Sequence, residues 1–171
     1  PLRHLKETLV YFIPTIATSV YTILDKTMLG WFSGENKSQN GYYEYATGFV
    51  NMAKILIMSF NAVMSARMSY LFGTGRMEEI HKRFQDSLDF VLLMAMPIML
   101  GLAGIAAQFI PWFLGNGYLP VTFLMYVCSP LVLVVGVSDC IGSQILTPGG
   151  KRAQSGKVIV AGAMVNAGLN F

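Results

Sequence analysis

The stretch FVLLMAMPIMLGLAGIAAQFIPWFLGNGYLPVTFLMYVCSPLVLVVGVS, from Phe90 to Ser138, holds no Asp, Glu, Lys or Arg. A helix crossing a bilayer needs about 20 mostly apolar residues, because each adds about 1.5 Å across a hydrocarbon core about 30 Å thick. The run is too long for one crossing, and it carries a turn signal in its middle, Gly115-Asn116-Gly117-Tyr118-Leu119-Pro120. It reads as two spans. No heptad with charged flanks accompanies it, so a long coiled coil is excluded.

The rest of the chain agrees. Of 171 residues, 54% are hydrophobic and 12% charged, where soluble domains carry roughly a quarter charged. That leaves too little polar surface to cover a globule in water. Thr8 to Leu24 and Ile55 to Ala66 are also free of charge. The expected fold is an all-α polytopic membrane protein with five spans, at about 8–31, 45–72, 88–113, 121–146 and 157–171, the last truncated. The chain lacks an initial Met and stops at Phe171 inside an apolar segment, so a fragment of a longer protein is expected.

Basic residues set the orientation, since cytoplasmic loops collect Lys and Arg. Arg3 and Lys6 precede the first span, Arg76, Lys82 and Arg83 follow the second, and Lys151, Arg152 and Lys157 follow the fourth. The alternate loops hold only Lys37. The N-terminal end is therefore expected in the cytoplasm. Trp31, Phe32, Tyr42, Tyr43, Trp112 and Tyr118 then fall at the outer interface, where amphipathic rings sit, and Tyr70 and Phe72 at the inner one. The charged stretch between the second and third spans, Gly75 to Phe84, pairs Glu78 and Glu79 with Lys82 and Arg83 at helical spacing, which suggests a short interfacial helix.

Polar residues recur at helical spacing inside the spans. The first carries Thr15, Thr18, Thr22 and Asp25, with Lys26 beside them; the second Thr47, Asn51, Lys54, Met58, Asn61 and Ser65; the fourth Ser129, Gly136, Asp139 and Ser143. The third is almost wholly apolar and reads as a supporting, lipid-facing helix. An ionisable group in the bilayer costs several kcal/mol and must face a cavity or a partner. Asp25, Lys26, Lys54 and Asp139 therefore either line a hydrated cavity or form structural ion pairs. Arg67 lies where its long side chain can reach the inner headgroups.

No catalytic constellation is present. His4 and His81 stand alone in polar connectors, with no spacing that would hold a metal. Gly73, Gly75, Gly149 and Gly150 match no phosphate-binding loop. Cys128 and Cys140 lie twelve positions apart in one expected helix, about 18 Å along its axis, too far to bridge. Neither an enzyme nor a cofactor nor a nucleic-acid partner is expected.

Several motifs have a family look. Ile13-Pro14-Thr15 with Asp25-Lys26-Thr27-Met28-Leu29-Gly30 resembles the seventh helix of the polysaccharide transporter family, in the multidrug/oligosaccharidyl-lipid/polysaccharide exporter superfamily. Gly41-Tyr42-Tyr43-Glu44-Tyr45-Ala46 and Ala66-Arg67-Met68-Ser69-Tyr70-Leu71-Phe72-Gly73 resemble the entry and exit of its eighth helix. Pro111-Trp112-Phe113-Leu114-Gly115 resembles the end of the ninth, and Ser129-Pro130-Leu131 with Gly142 to Lys151 the tenth and its loop. Ala66 departs from the family's usual Pro before the Arg.

The resemblance implies most of the second lobe of a transporter of twelve to fourteen helices in the bacterial cytoplasmic membrane. Such proteins flip undecaprenyl-diphosphate-linked oligosaccharide repeat units outward for O-antigen, capsule or exopolysaccharide assembly. The partners implied are that lipid-linked glycan, membrane lipids and polysaccharide polymerase components. Thr18, Thr22, Asp25, Lys26, Asn51, Lys54, Asn61 and Asp139 become candidates for the substrate cavity, with Arg67 at the inner leaflet. A cation-coupled drug exporter or peptidoglycan-precursor flippase of the same superfamily, or a non-transporting scaffold subunit, are the alternatives.

Overall fold

The computed structural model describes residues 38–169 together with Phe12, Ile16, Ser19, Ile23, Thr27 and Met28, and these six are helical. Two compact units divide the chain, Gly41–Gly149 and Pro1–Asn40 with Gly150–Phe171. The first unit holds most of helix α1 (Ser38–Gly73), helix α2 (Met77–Phe113), α3 (Leu119–Cys128) and α4 (Leu131–Ile141), the last running into a π turn over Gly142–Leu146. In the second unit α5 (Arg152–Leu169) forms where the fifth span is expected. No strand occurs among the described residues.

Helices α1 and α2 are long and apolar enough to cross a membrane, and α3 with α4 makes a third span if the bent pair crosses as one. At 36 and 37 residues, α1 and α2 are each roughly 55 Å long, so both outrun the ~30 Å hydrocarbon core at their ends. The outward surface shows which solvent they suit. Val63, Leu93 and Leu100 are 71%, 71% and 64% exposed. Large apolar side chains turned outward along the length of a helix suit one that lipid surrounds.

Three boundaries differ from the sequence reading. Helix α1 is already formed at Ser38, ahead of the expected start near 45, and its Tyr42 and Tyr45 pack edge-on against Tyr118. The charged connector is not a separate helix but the start of α2. No breaker separates Phe84 from Asp89, and the buried stripe Ile80, Ser87, Val91, Ala95 runs straight through. Glu78 and Glu79 sit in the first turn, where the helix dipole favours them, and Glu79 pairs with Arg76 and Arg83 on the exposed side. The fourth span is broken: its halves meet at Ser129-Pro130 and bend by 40°.

Tight turns hold the helices side by side. Gly75, at φ 71°, ends α1 in a left-handed cap, with the Gly75 N–H bonded to the Phe72 carbonyl and Arg76 N–H to that of Leu71. At the far end Gly115 takes φ 93° and ψ 167°, a region essentially closed to other residues. Gly115→Ala should therefore destabilise the turn by about 1–3 kcal/mol, read as a lower midpoint in thermal unfolding.

Packing runs in three layers along the unit. Ala46, Ala106, Ile110, Val121 and Met125 fill one end, beside the rings of Phe49 and Phe109. Val50, Ile57, Val91, Ala95, Val132 and both cysteines fill the middle. Met68, Leu71 and Ile80 close the other end. Cys128 and Cys140 are free thiols, buried as small apolar residues.

Candidate functional site

The polar stripe of α1 lies along the edge of its packed seam. Asn61, the residue nearest that seam, is fully buried, Lys54 and Ser65 are half-buried, and Asn51 and Arg67 are exposed. Opposite them α4 comes unusually close. A Cβ on Gly136 would meet Ile57 Cγ2 at 3.0 Å, so glycine is what lets the two backbones approach.

Into that gap α1 sends a small polar network. Asn61 Nδ2 donates to the Gly136 carbonyl at 3.1 Å and to Asp139 Oδ2 at 3.0 Å. Both partners are acceptors, which fixes the amide's orientation and turns Oδ1 towards the π turn. Gln144 Nε2 donates to that Oδ1 at 3.1 Å. One turn further on, the Ser65 hydroxyl donates to the Ser143 carbonyl at 2.8 Å. Interhelical hydrogen bonds in membranes average only about 0.6 kcal/mol, so this network specifies register more than it adds stability.

The network brings Asn61 and Asp139 together. Asn61 is enclosed between α1 and α4, with no face open to a solute in this arrangement. Asp139 is half-buried and accepts from Asn61. Asn51 and Arg67 stand apart from it. Thr18, Thr22, Asp25 and Lys26 lie outside the described residues.

Gln144 is the member that sequence reasoning missed. It is fully buried and five residues beyond Asp139. In a regular α-helix that spacing turns a side chain well away from the first; the wider π turn, bonded from Thr147 N–H back to the Gly142 carbonyl, brings it round. A π turn has no clear signature in a single sequence.

Lys54 is the charge that stands out. It sits near the middle of α1, and no carboxylate among the described residues forms an ion pair with it. A cation at the centre of a spanning helix costs about 2.5–3.5 kcal/mol, a cost that a charged or hydrated partner must offset. No group of three His, Cys, Asp or Glu that could hold a metal ion occurs among the described residues. Among the described residues the span thus carries a half-buried cation with no carboxylate bonded to it and, further along α1, an enclosed hydrogen-bond network.

No curated protein and no solved structure matches the chain. A family model described as polysaccharide biosynthesis protein matches residues 2–123, which takes in α1 with Lys54 and Asn61, all of α2 and the start of α3. This helical membrane chain, with its Asp-Lys-x-Met-Leu-Gly element and polar intramembrane stripe, therefore belongs to the polysaccharide biosynthesis protein family, the polysaccharide transporters that its motifs resemble.

Proposed function

We propose that the protein is a flippase carrying undecaprenyl-diphosphate-linked oligosaccharide repeat units across the bacterial cytoplasmic membrane. The observation that carries this reading is Lys54, a half-buried cation inside a span with no carboxylate bonded to it among the described residues. A diphosphate is the matching charge: an ammonium draws phosphate as a compact point charge. Lys26 in the N-terminal segment would add a second cation. The Thr, Ser and Asn positions would hydrogen-bond sugar hydroxyls, and the lipid tail would stay in the apolar surroundings. Alternating access between two lobes is the mechanism expected of repeat-built transporters. In this reading the five segments are most of the second lobe, with the N-terminal end in the cytoplasm.

The test uses the full-length protein in liposomes and a fluorescent undecaprenyl-diphosphate oligosaccharide. Wild type should move the probe between leaflets, and Lys26→Ala/Lys54→Ala should reduce the rate sharply. Transport that is unchanged in the double variant would leave both lysines without a substrate role. A folded wild type that moves none of several carrier-linked glycans would overturn the flippase reading.

A further inference from the structure

Helix α4 is bounded by two breaks. At its start Pro130 has no N–H, so the Tyr126 carbonyl loses its helical donor and takes the Ser129 hydroxyl instead, at 3.2 Å. At its end the chain enters the π turn. Thr147 N–H is used by Gly142 there, and the next residue that could reach the Ser143 carbonyl is Pro148, again without a donor. The hydroxyl that satisfies Ser143 comes from Ser65 on α1. Residues 131–141 thus form a short rod, interrupted at both ends, tied to α1 along its length by Asn61 and anchored by Ser65 only at the π turn that follows it.

The tie is incomplete. Gln144 is fully buried, yet among the described residues its Oε1 has no donor, and the buried Ser143 hydroxyl has no partner among them either. A half-satisfied polar network in a low-dielectric interior raises the energy of the state that encloses it. Against this stand the close packing of Ile57 on Gly136 and the bonds from Asn61 and Ser65. Packing favours the closed rod and unmet acceptors favour its release. A pair of opposed terms at one seam, flanked by two breaks, is what a bistable element needs.

We propose that α4 swings away from α1 about Ser129-Pro130 and the π turn, so that Asn61, Asp139 and Gln144 alternate between a closed latch and a hydrated state. The movement lies within one unit and holds whatever solute the protein carries.

Cys140 reports on it. It is fully buried on α4 in the middle layer and reacts with a thiol reagent only when that seam opens to water. The experiment takes the full-length protein in phospholipid nanodiscs with Cys140 as its sole cysteine and follows labelling by N-ethylmaleimide. Asn61→Leu removes the central member of the latch and should raise the labelling rate about tenfold, because it deletes three hydrogen bonds that each contribute roughly two- to threefold. Ser65→Ala should raise it by a smaller factor. Ala106→Cys in a cysteine-free background probes the end layer, where Ala106 is fully buried away from α4. Its rate should not change with either substitution. A Cys140 rate indifferent to both variants would overturn the latch. So would an equal acceleration at Ala106→Cys, which would report general loosening of the unit.

Discussion

Gly136→Leu will separate α1 from α4 and lower the unfolding midpoint of the purified protein more than any other single change in the middle layer. The reason is the crowding around this glycine. A bare Cβ would already stand 3.0 Å from Ile57 Cγ2, 3.5 Å from Ile57 Cδ1 and 3.6 Å from Val91 Cγ1. Alanine can be met by a shift of a few tenths of an ångström in Ile57, because the touching atoms are the ends of a side chain. Leucine adds three more carbons where α1 and α2 leave no room, and overpacking of this kind costs about 1–3 kcal/mol or more. Lipid offers no hydrophobic force to hold the helices together once they part. The bond from Asn61 to the Gly136 carbonyl goes with them. Thermal unfolding in detergent checks the order wild type, Gly136→Ala, Gly136→Leu. Adding Ile57→Ala should recover part of the loss in Gly136→Leu. A rescue of nothing would show that the clash lies elsewhere.

That seam also shows what the sequence makes legible and what it does not. The spans were readable because the bilayer imposes one simple demand, some twenty uncharged residues, and Phe90 to Ser138 meets it twice. The polar stripe was readable too, since Asn61 and Ser65 follow helical spacing, and Asn61 bonds α4 while Ser65 bonds the π turn beyond it. Asp139 and Ser143 are the matching positions on the other side. Depth of burial was not readable. Asn61 and Asn51 share one stripe and one residue type, but one is enclosed and the other exposed, because only packing decides which edge of a stripe faces a neighbour. The extension of α2 back to Met77 was hidden for a related reason. A change of solvent from water to lipid alters composition without interrupting a helix, so Gly75 to Phe84 reads as a separate short interfacial helix, while its buried residue Ile80 already belongs to the stripe of α2. Gln144 was hidden by the π turn, which changes the angular step that periodicity assumes.

Lys54→Glu should abolish transport, by about a hundredfold or more, while leaving the folded protein in the membrane. Lys54 is half-buried and bonded to no carboxylate among the described residues, so reversing its charge breaks no ion pair there. Stability is thus little affected by comparison with the core glycine. For a diphosphate carried past this point the change turns attraction into repulsion inside a low-dielectric span, and like charges so placed cost several kcal/mol. Each 1.4 kcal/mol is about tenfold in rate or affinity. Lys54→Arg keeps the charge and should retain most of the activity, though a planar fork replaces a point charge. Lys54→Gln stays polar but loses the charge and should fall between the two. The readout is the initial rate of transfer of the labelled lipid-linked oligosaccharide, normalised to the amount of folded protein. An order set by charge, Lys above Arg, then Gln, then Glu, ties Lys54 to the anionic headgroup. An equal rate in Gln and Glu would mean that the ammonium holds the helices, and that the headgroup is drawn by charges elsewhere.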